Sequence, residues 1–207
     1  MVGGNMEQKI KLFFKTLFIK KESPKKNRQI IDMIRWGREF QRLNLAEQTT
    51  GNLSFRKKEG FVITGTGAEL GGLLKDDFVE VLKVEKKNNK FLVYAKGKMF
   101  PSSETLLHWE IYQFRKDVNV IFHLHDLSVL EKEKELKIPS TQKEKPGGSY
   151  ELAQESIRLL QKEKRINYFI LKNHGVIVMG KSISGAGKLV KFFNQKAKTL
   201  TKQQVVN

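Results

Sequence analysis

The chain contains no cysteine. Disulfide bonds and thiolate metal ligands are excluded together, so any metal site must draw on histidine and carboxylate. Nothing in the composition suggests an oxidising compartment, and the cytoplasm is the expected location. Long apolar runs are missing as well, and none approaches the ~20 residues that a membrane span needs. The stretch from Lys11 to Lys20 is interrupted by lysine and lacks a small-residue cleavage site, so it does not read as a secretory signal. There is no internal repeat, no heptad run, no zinc-knuckle spacing and no RNA-binding aromatic signature.

Acid is scarce relative to base: 39 Lys and Arg face 22 Asp and Glu, for a formal net charge of +17. Such an excess suits either a polyanion-binding surface or a lysine-rich coat around an enzyme for anionic substrates. The lysines are spread along the chain, with small clusters at Lys20–Lys21, Lys25–Lys26 and Lys86–Lys87. Without a nucleic-acid motif, nucleic acid is not expected as the main partner. Attraction of a phosphorylated metabolite is a natural by-product of the charge. The remaining composition, 39% hydrophobic and 29% charged over 207 residues, describes one soluble globular domain with room for a real core.

Patterning along the chain predicts an α+β fold in α/β/α layers, a mostly antiparallel sheet flanked by helices. Residues 1–26 read as an N-terminal extension with an amphipathic helix over Glu7 to Lys20, broken by Pro24. The domain proper is expected over 27–207. It begins with a helix from Asn27 to Leu43 whose apolar stripe is Ile30, Ile31, Ile34, Phe40 and Leu43. Short strands follow at Leu53–Arg56, Phe61–Thr64, Phe78–Val84 and Phe91–Lys96. Ser102 and Ser103 look like a hydroxyl cap, with acid in the first turn of a helix running to Arg115. A strand bearing His123 and His125 comes next, then a Lys/Glu-rich stretch from Glu131 to Lys145. A helix over Ser149–Gln161, strands around 167–171 and 176–179, and a last helix over Ser184–Leu200 complete the pattern.

Three of the four histidines carry the chemical signal. His123 and His125 form an H-x-H at the end of the apolar run Val118–Leu124, and His174 closes a second run, Tyr168–Leu171. Residues i and i+2 of a strand share a face, so both imidazoles of the pair can meet one ion. A third histidine would make a His₃ set with open coordination positions, as catalytic zinc sites require. The same spacing also fits a pair of half-buried rings with no ion.

Four segments then line up in order: Gly51-Asn52-Leu53-Ser54-Phe55-Arg56, Ile63-Thr64-Gly65-Thr66-Gly67, Pro101-Ser102-Ser103-Glu104 with His108, and the histidine pair with Asn173-His174-Gly175. Together, over about Gln29 to Gly180, they resemble the class II aldolase/adducin family, the fold of fuculose-1-phosphate aldolase and ribulose-5-phosphate 4-epimerase. The resemblance implies that His123, His125 and His174 hold zinc or another divalent transition ion. It implies that Gly51, Asn52, Thr66, Gly67, Ser102 and Ser103 hold a substrate phosphate, for which glycine backbone, short donors and a helix start are suited. Glu104 takes the place of the family's general acid/base, and Glu rather than Asp there points to the aldolase or dehydratase branches. The implied activity is metal-dependent cleavage of a phosphorylated ketose to dihydroxyacetone phosphate and an aldehyde, in a homotetramer away from any membrane. The alternatives on the same scaffold are a methylthioribulose-1-phosphate-type dehydratase, a pentulose-phosphate 4-epimerase or an adducin-like binding protein. His108 reads as a supporting histidine, and Asp126 as a capping or solvated acid. The family's loop and C-terminal tyrosines have no clear counterpart, Tyr150 being the nearest stand-in.

Overall fold

The computed structural model describes residues 12–205. Eight strands form one sheet in the order β1-β5-β4-β3-β2-β6-β8-β7. They are β1 Phe14–Lys20, β2 Asn52–Arg56, β3 Phe61–Thr64, β4 Phe78–Lys87, β5 Lys90–Lys96, β6 Val120–Leu124, β7 Tyr168–Leu171 and β8 Gly175–Gly180. Every pairing is antiparallel except β1 with β5. Among the described residues the α-helices are α1 Arg28–Arg42, α2 Thr105–Phe114, α3 Leu127–Glu131, α4 Glu133–Leu136, α5 Tyr150–Lys162 and α6 Ile183–Val205. The expected α+β class and mostly antiparallel sheet are what the chain adopts.

Strand alternation sorts the core into two layers. Leu53, Phe55, Phe122, Leu124, Val176 and Val178 face α1, α3 and α6. Phe61, Ile63, Ile121, Phe169, Ile177 and Met179 face α2 and α5. His123 follows Ile121 on the α2/α5 side, which aims it at the start of α2. Helix α1 begins where Asn27 accepts a hydrogen bond from the Ile30 amide at 3.0 Å, a side-chain N-cap. Its buried face is Ile30, Met33, Gly37 and Phe40. Ile31, Ile34 and Leu43 of the expected stripe are only half-buried. Gly37 displaces them from the centre, because a Cβ there would lie 2.2 Å from the Leu70 carbonyl oxygen. Only a bare backbone allows that approach.

Two expectations are corrected. The helix expected over Glu7 to Lys20 is a strand from Phe14 onward, and residues 7–11 lie outside the described residues. Phe14 is buried and pairs with Phe91, so an open sheet edge overrides the helical spacing of the segment. The second concerns α2, which begins at Thr105 with Glu104 as its N-cap residue, later than Ser102–Ser103. Ser102 and Ser103 sit in the preceding turn, where the Thr105 amide donates to the Ser102 carbonyl. The Lys/Glu-rich stretch also contains the short helix α4, and Ser140 bridges to Ile170 beside β7.

Phe40 is fully buried, with its ring edge-on to Phe122 at 5.2 Å, directly behind the strand that carries His123. Phe40→Ala should cost roughly 3–5 kcal/mol of folding stability, from lost burial plus the cavity left behind. Chemical denaturation followed by circular dichroism checks this.

Candidate metal centre and substrate cleft

The ten residues singled out from the sequence all line one cleft of about 460 Å³. Strand β6 ends at Leu124, so His123 lies in the strand and His125 just beyond it, where its amide donates to the Leu45 carbonyl at 3.0 Å. His174 sits in the β7–β8 turn, held by its amide to the Leu171 carbonyl. One ring nitrogen from each of the three lies within 4.8 Å of the others. Two glycines make this convergence possible. A Cβ on Gly175 would lie 2.6 Å from the Leu124 carbonyl oxygen and 2.8 Å from His123 Cε1. One on Gly147 would lie 2.9 Å from His174 Cε1.

The donor chemistry fits a divalent transition ion. His123 Nδ1 lies 3.2 Å from the Val176 carbonyl oxygen, which can only accept, so Nδ1 carries the proton and Nε2 its lone pair. That Nε2 faces His125 Nε2 at 3.1 Å and Glu104 Oε2 at 3.1 Å. Burial pushes the pKa of His123 well down, with further lowering from the His174 and His125 charges. Burial, then the charge of His174, lowers that of His125. Neutral imidazoles are the ligating form, and lone pairs converging beside a carboxylate are a place for a cation.

Glu104 closes the ring of donors. As the N-cap of α2 it makes no side-chain cap bond. Its carboxylate turns to the histidines, with Oε1 3.6 Å from His174 Nε2 and Oε2 accepting from Asn52 Nδ2 at 2.9 Å. The pairing of Asn52 with His123 across β2 and β6 sets that amide in place. Oε1 of Glu104 and Oδ1 of Asn52 are buried without a hydrogen-bond partner. Acceptors left so inside a cleft have capacity for a cation or a ligand donor.

The anion side of the cleft is narrower than the sequence suggests. Thr66 Oγ1 donates to the Pro101 carbonyl at 2.8 Å, and its amide donates to the Phe100 carbonyl. Both its donors are used in tying the two loops together. The Ser102 amide donates to the Thr64 carbonyl, while its hydroxyl accepts from the Glu104 amide at 3.3 Å. Gly51 and Gly67 both have positive φ, at 78° and 79°. Gly51 also lies against the His123 backbone, where a Cβ would come within 2.8 Å of its carbonyl oxygen. Thr49, Thr50, Gly147 and Phe13 line the cleft too, beyond the residues that the motifs mark. The Thr49–Thr50 pair adjoins a segment already singled out, whereas no local pattern marks Phe13.

His108 and Asp126 stand behind the cleft. His108 is fully buried, with Nδ1 2.7 Å from Ser54 Oγ, which in turn lies 2.8 Å from the Tyr112 hydroxyl. Burial takes the His108 pKa down to about 3, so this brace is neutral. Asp126 caps α3 by accepting from the Val129 amide and also accepts from Asn194 of α6. It is 1% exposed, which retains the capping role and rules out the solvated one. Tyr150 is not among the described cleft residues; its ring packs at a tilt against Phe91 at a centroid distance of 4.6 Å.

Comparison with known proteins shows the family. The model of the class II aldolase and adducin N-terminal domain matches residues 31–201, and the chain belongs to that family. It is 35% identical over 162 residues to the L-fuculose phosphate aldolase of Methanocaldococcus jannaschii, covering 72% of this chain and 82% of that one. It is 30% identical over 182 residues to the methylthioribulose-1-phosphate dehydratase of an Enterobacter species, covering 76% and 84%. The crystal structure of L-fuculose-1-phosphate aldolase from Thermus thermophilus shares the fold, with a TM-score of 0.68, 19% identity and coverage of 86% of this chain and 95% of that one. No helix among the described residues is long and apolar enough to cross a membrane.

If the three imidazoles share an ion, Gly175→Ala should weaken it about as His123→Ala does, because the added methyl displaces His123. We expect about one zinc-class ion per wild-type chain and at least a tenfold weaker affinity in either variant. Elemental analysis with chelator competition measures both.

Proposed function

We propose that the chain is a zinc-dependent class II sugar-phosphate aldolase, a lyase that cleaves a ketose 1-phosphate to dihydroxyacetone phosphate and an aldehyde. The observation that carries this reading is the Glu104 carboxylate set between His123 and His174, one oxygen unpartnered, facing a cleft of hydroxyl and glycine loops. His123, His125 and His174 would hold the ion. When bound, zinc or another divalent transition ion supplies Lewis-acid polarisation of substrate oxygens. Residues 27–207 would be the catalytic domain, acting in the cytoplasm as a homotetramer, with residues 1–26 as its extension.

The remaining steps belong to side chains of this chain. Gly51, Gly67 and Ser103 present the substrate phosphate with close backbone and a hydroxyl, with Asn52 and Ser102 beside them and Thr66 bracing the loops. Glu104 moves the proton at the carbon next to the carbonyl of the dihydroxyacetone phosphate fragment. Its geometry suits proton transfer, because the bond from Asn52 fixes Oε2 and leaves Oε1 to face the substrate. The net charge of +17 draws a doubly charged phosphate ester toward the protein.

A dehydratase is the second reading, favoured by the similarity to the Enterobacter dehydratase over 76% of this chain. A pentulose-phosphate 4-epimerase is less favoured, since Glu stands at position 104 where the epimerase branch usually has Asp. Three intact histidines beside that carboxylate argue against a purely adducin-like binding protein.

Two measurements test the proposal. In the first, Ser103→Ala should weaken phosphate-ester binding by roughly 1.5–3 kcal/mol, the worth of a hydrogen bond to a charged group. Calorimetry at low salt reads it directly. The second follows dihydroxyacetone phosphate, whose carbon-bound proton should exchange with deuterium on the zinc-loaded wild type. Glu104→Gln should retain the metal and lose roughly 10²–10⁴-fold in that exchange. Wild-type protein that carries its full metal and exchanges nothing would turn the assignment to the dehydratase.

A further inference from the structure

The three imidazoles of the proposed metal centre are not held alike. His123 is fixed through its ring, because Nδ1 donates to the Val176 carbonyl and the side chain is buried. His125 lies beyond the end of β6, is only half-buried, and its Nδ1 bonds no protein group among the described residues. The aim of that ring must come from the backbone around it. Its own amide is tied to the Leu45 carbonyl at 3.0 Å. The next residue, Asp126, is 1% exposed and is tied much farther away. Its Oδ1 and Oδ2 accept from Nδ2 of Asn194 at 3.1 and 3.0 Å, across 68 residues of chain. Asn194 belongs to α6 and is itself 2% exposed.

Capping alone does not explain this pair. Helix α3 already has its cap, with Asp126 Oδ1 accepting from the Val129 amide at 3.2 Å. Burying an amide and a carboxylate costs free energy unless each is bonded, so an apolar side chain would fill the seam under α6 without that demand. What Asn194 adds is a directional tie between α6 and the residue that follows His125. A five-residue helix such as α3 is too short to fix that position by itself. We propose that Asn194 is a positioning residue of the metal centre: its clamp on Asp126 fixes the backbone from which His125 meets the ion. The proposal rests on the reading of the three histidines as metal ligands. It gives the C-terminal helix a part in a site whose described lining includes none of its residues. The coupling runs both ways, so an ion that holds His125 also holds α6 against the sheet.

The test is a double-mutant cycle on metal binding by the full chain, and so does not depend on turnover. Zinc affinity is measured by chelator competition in wild type, Asn194→Leu, His125→Ala and the double variant. Asn194→Ser, smaller and still polar, takes the place of Asn194→Leu should that variant fail to fold. Asn194→Leu should weaken zinc roughly tenfold, the scale for an outer partner of a metal ligand. Once His125 is gone the same substitution should cost less than about twofold, because its effect passes through that ring. Bound cobalt(II) gives a second readout, since its visible absorption reports the donor set. The spectrum of Asn194→Leu should move toward that of His125→Ala. Wild-type affinity and an unmoved cobalt spectrum in the Asn194 variants would overturn the proposal and leave the metal site standing. Equal weakening with and without His125 would mark Asn194 as merely structural and would also overturn it. If the wild type binds neither zinc nor cobalt, the metal reading falls first and takes this one with it.

Discussion

Strand β6 is hydrogen-bonded on both sides, to β2 and to β8, and its register places Asn52 opposite His123 and Ile177 opposite the same residue. That double pairing determines which side chains can meet in the cleft. It brings the β2 amide to the carboxylate that His123 also faces, and it sets the β7–β8 turn with His174 beside the end of β6. The close approach depends on missing side chains: Gly51 lies against the His123 carbonyl and Gly175 against that of Leu124. A Cβ at either position would push a neighbour off the strand that carries His123 and leads into His125.

Around this strand the polar groups form two shells that face different ways. In the cleft, lone pairs and carboxylate oxygens converge with fewer protons than acceptors, an arrangement suited to a cation and a ligand. Behind it, Ser54 is bonded to both His108 and Tyr112, and all three are closed off from water. The Arg56 guanidinium packs over the Tyr112 ring and donates to the carbonyls of Tyr112, Arg115 and Val118. Those bonds hold the end of α2 to β2. Helix α2 is thus held at its end by Arg56 and at Glu104 by Asn52, and such fixed placement is what the proposed proton transfer would need.

Family membership and the shared fold do not by themselves choose among the reactions that such a scaffold hosts. Two residues that line the cleft have distinct origins. Glu104 lies inside the matched domain, at a helix start. Phe13 arrives on an edge strand that precedes it, where the sheet was open to accept one more pairing.

The histidine pair, the third histidine and Glu104 are legible in the sequence because strand alternation and order along the chain are local properties. Most of the sheet is legible for the same reason, since Leu53–Arg56, Phe61–Thr64 and Phe91–Lys96 are short runs bounded by turn residues. The start of α2 is not, because Ser102 and Ser103 look like caps, although their backbone turns away and the carboxylate of Glu104 is drawn to the histidines instead of the helix end. Thr66 looks like a phosphate donor, but both its donors go to carbonyls contributed by residues 100 and 101, far away in sequence. The segment Phe14–Lys20 carries enough helical spacing to mislead, because nothing local announces a free sheet edge. The sequence by itself determined which groups could do chemistry: three imidazoles, one carboxylate, and loops free of bulky side chains. Tertiary structure alone decided which donors were already spent, which glycines were required, and that a phenylalanine from before the domain lines the cleft, because each of these depends on contacts between residues far apart in the chain.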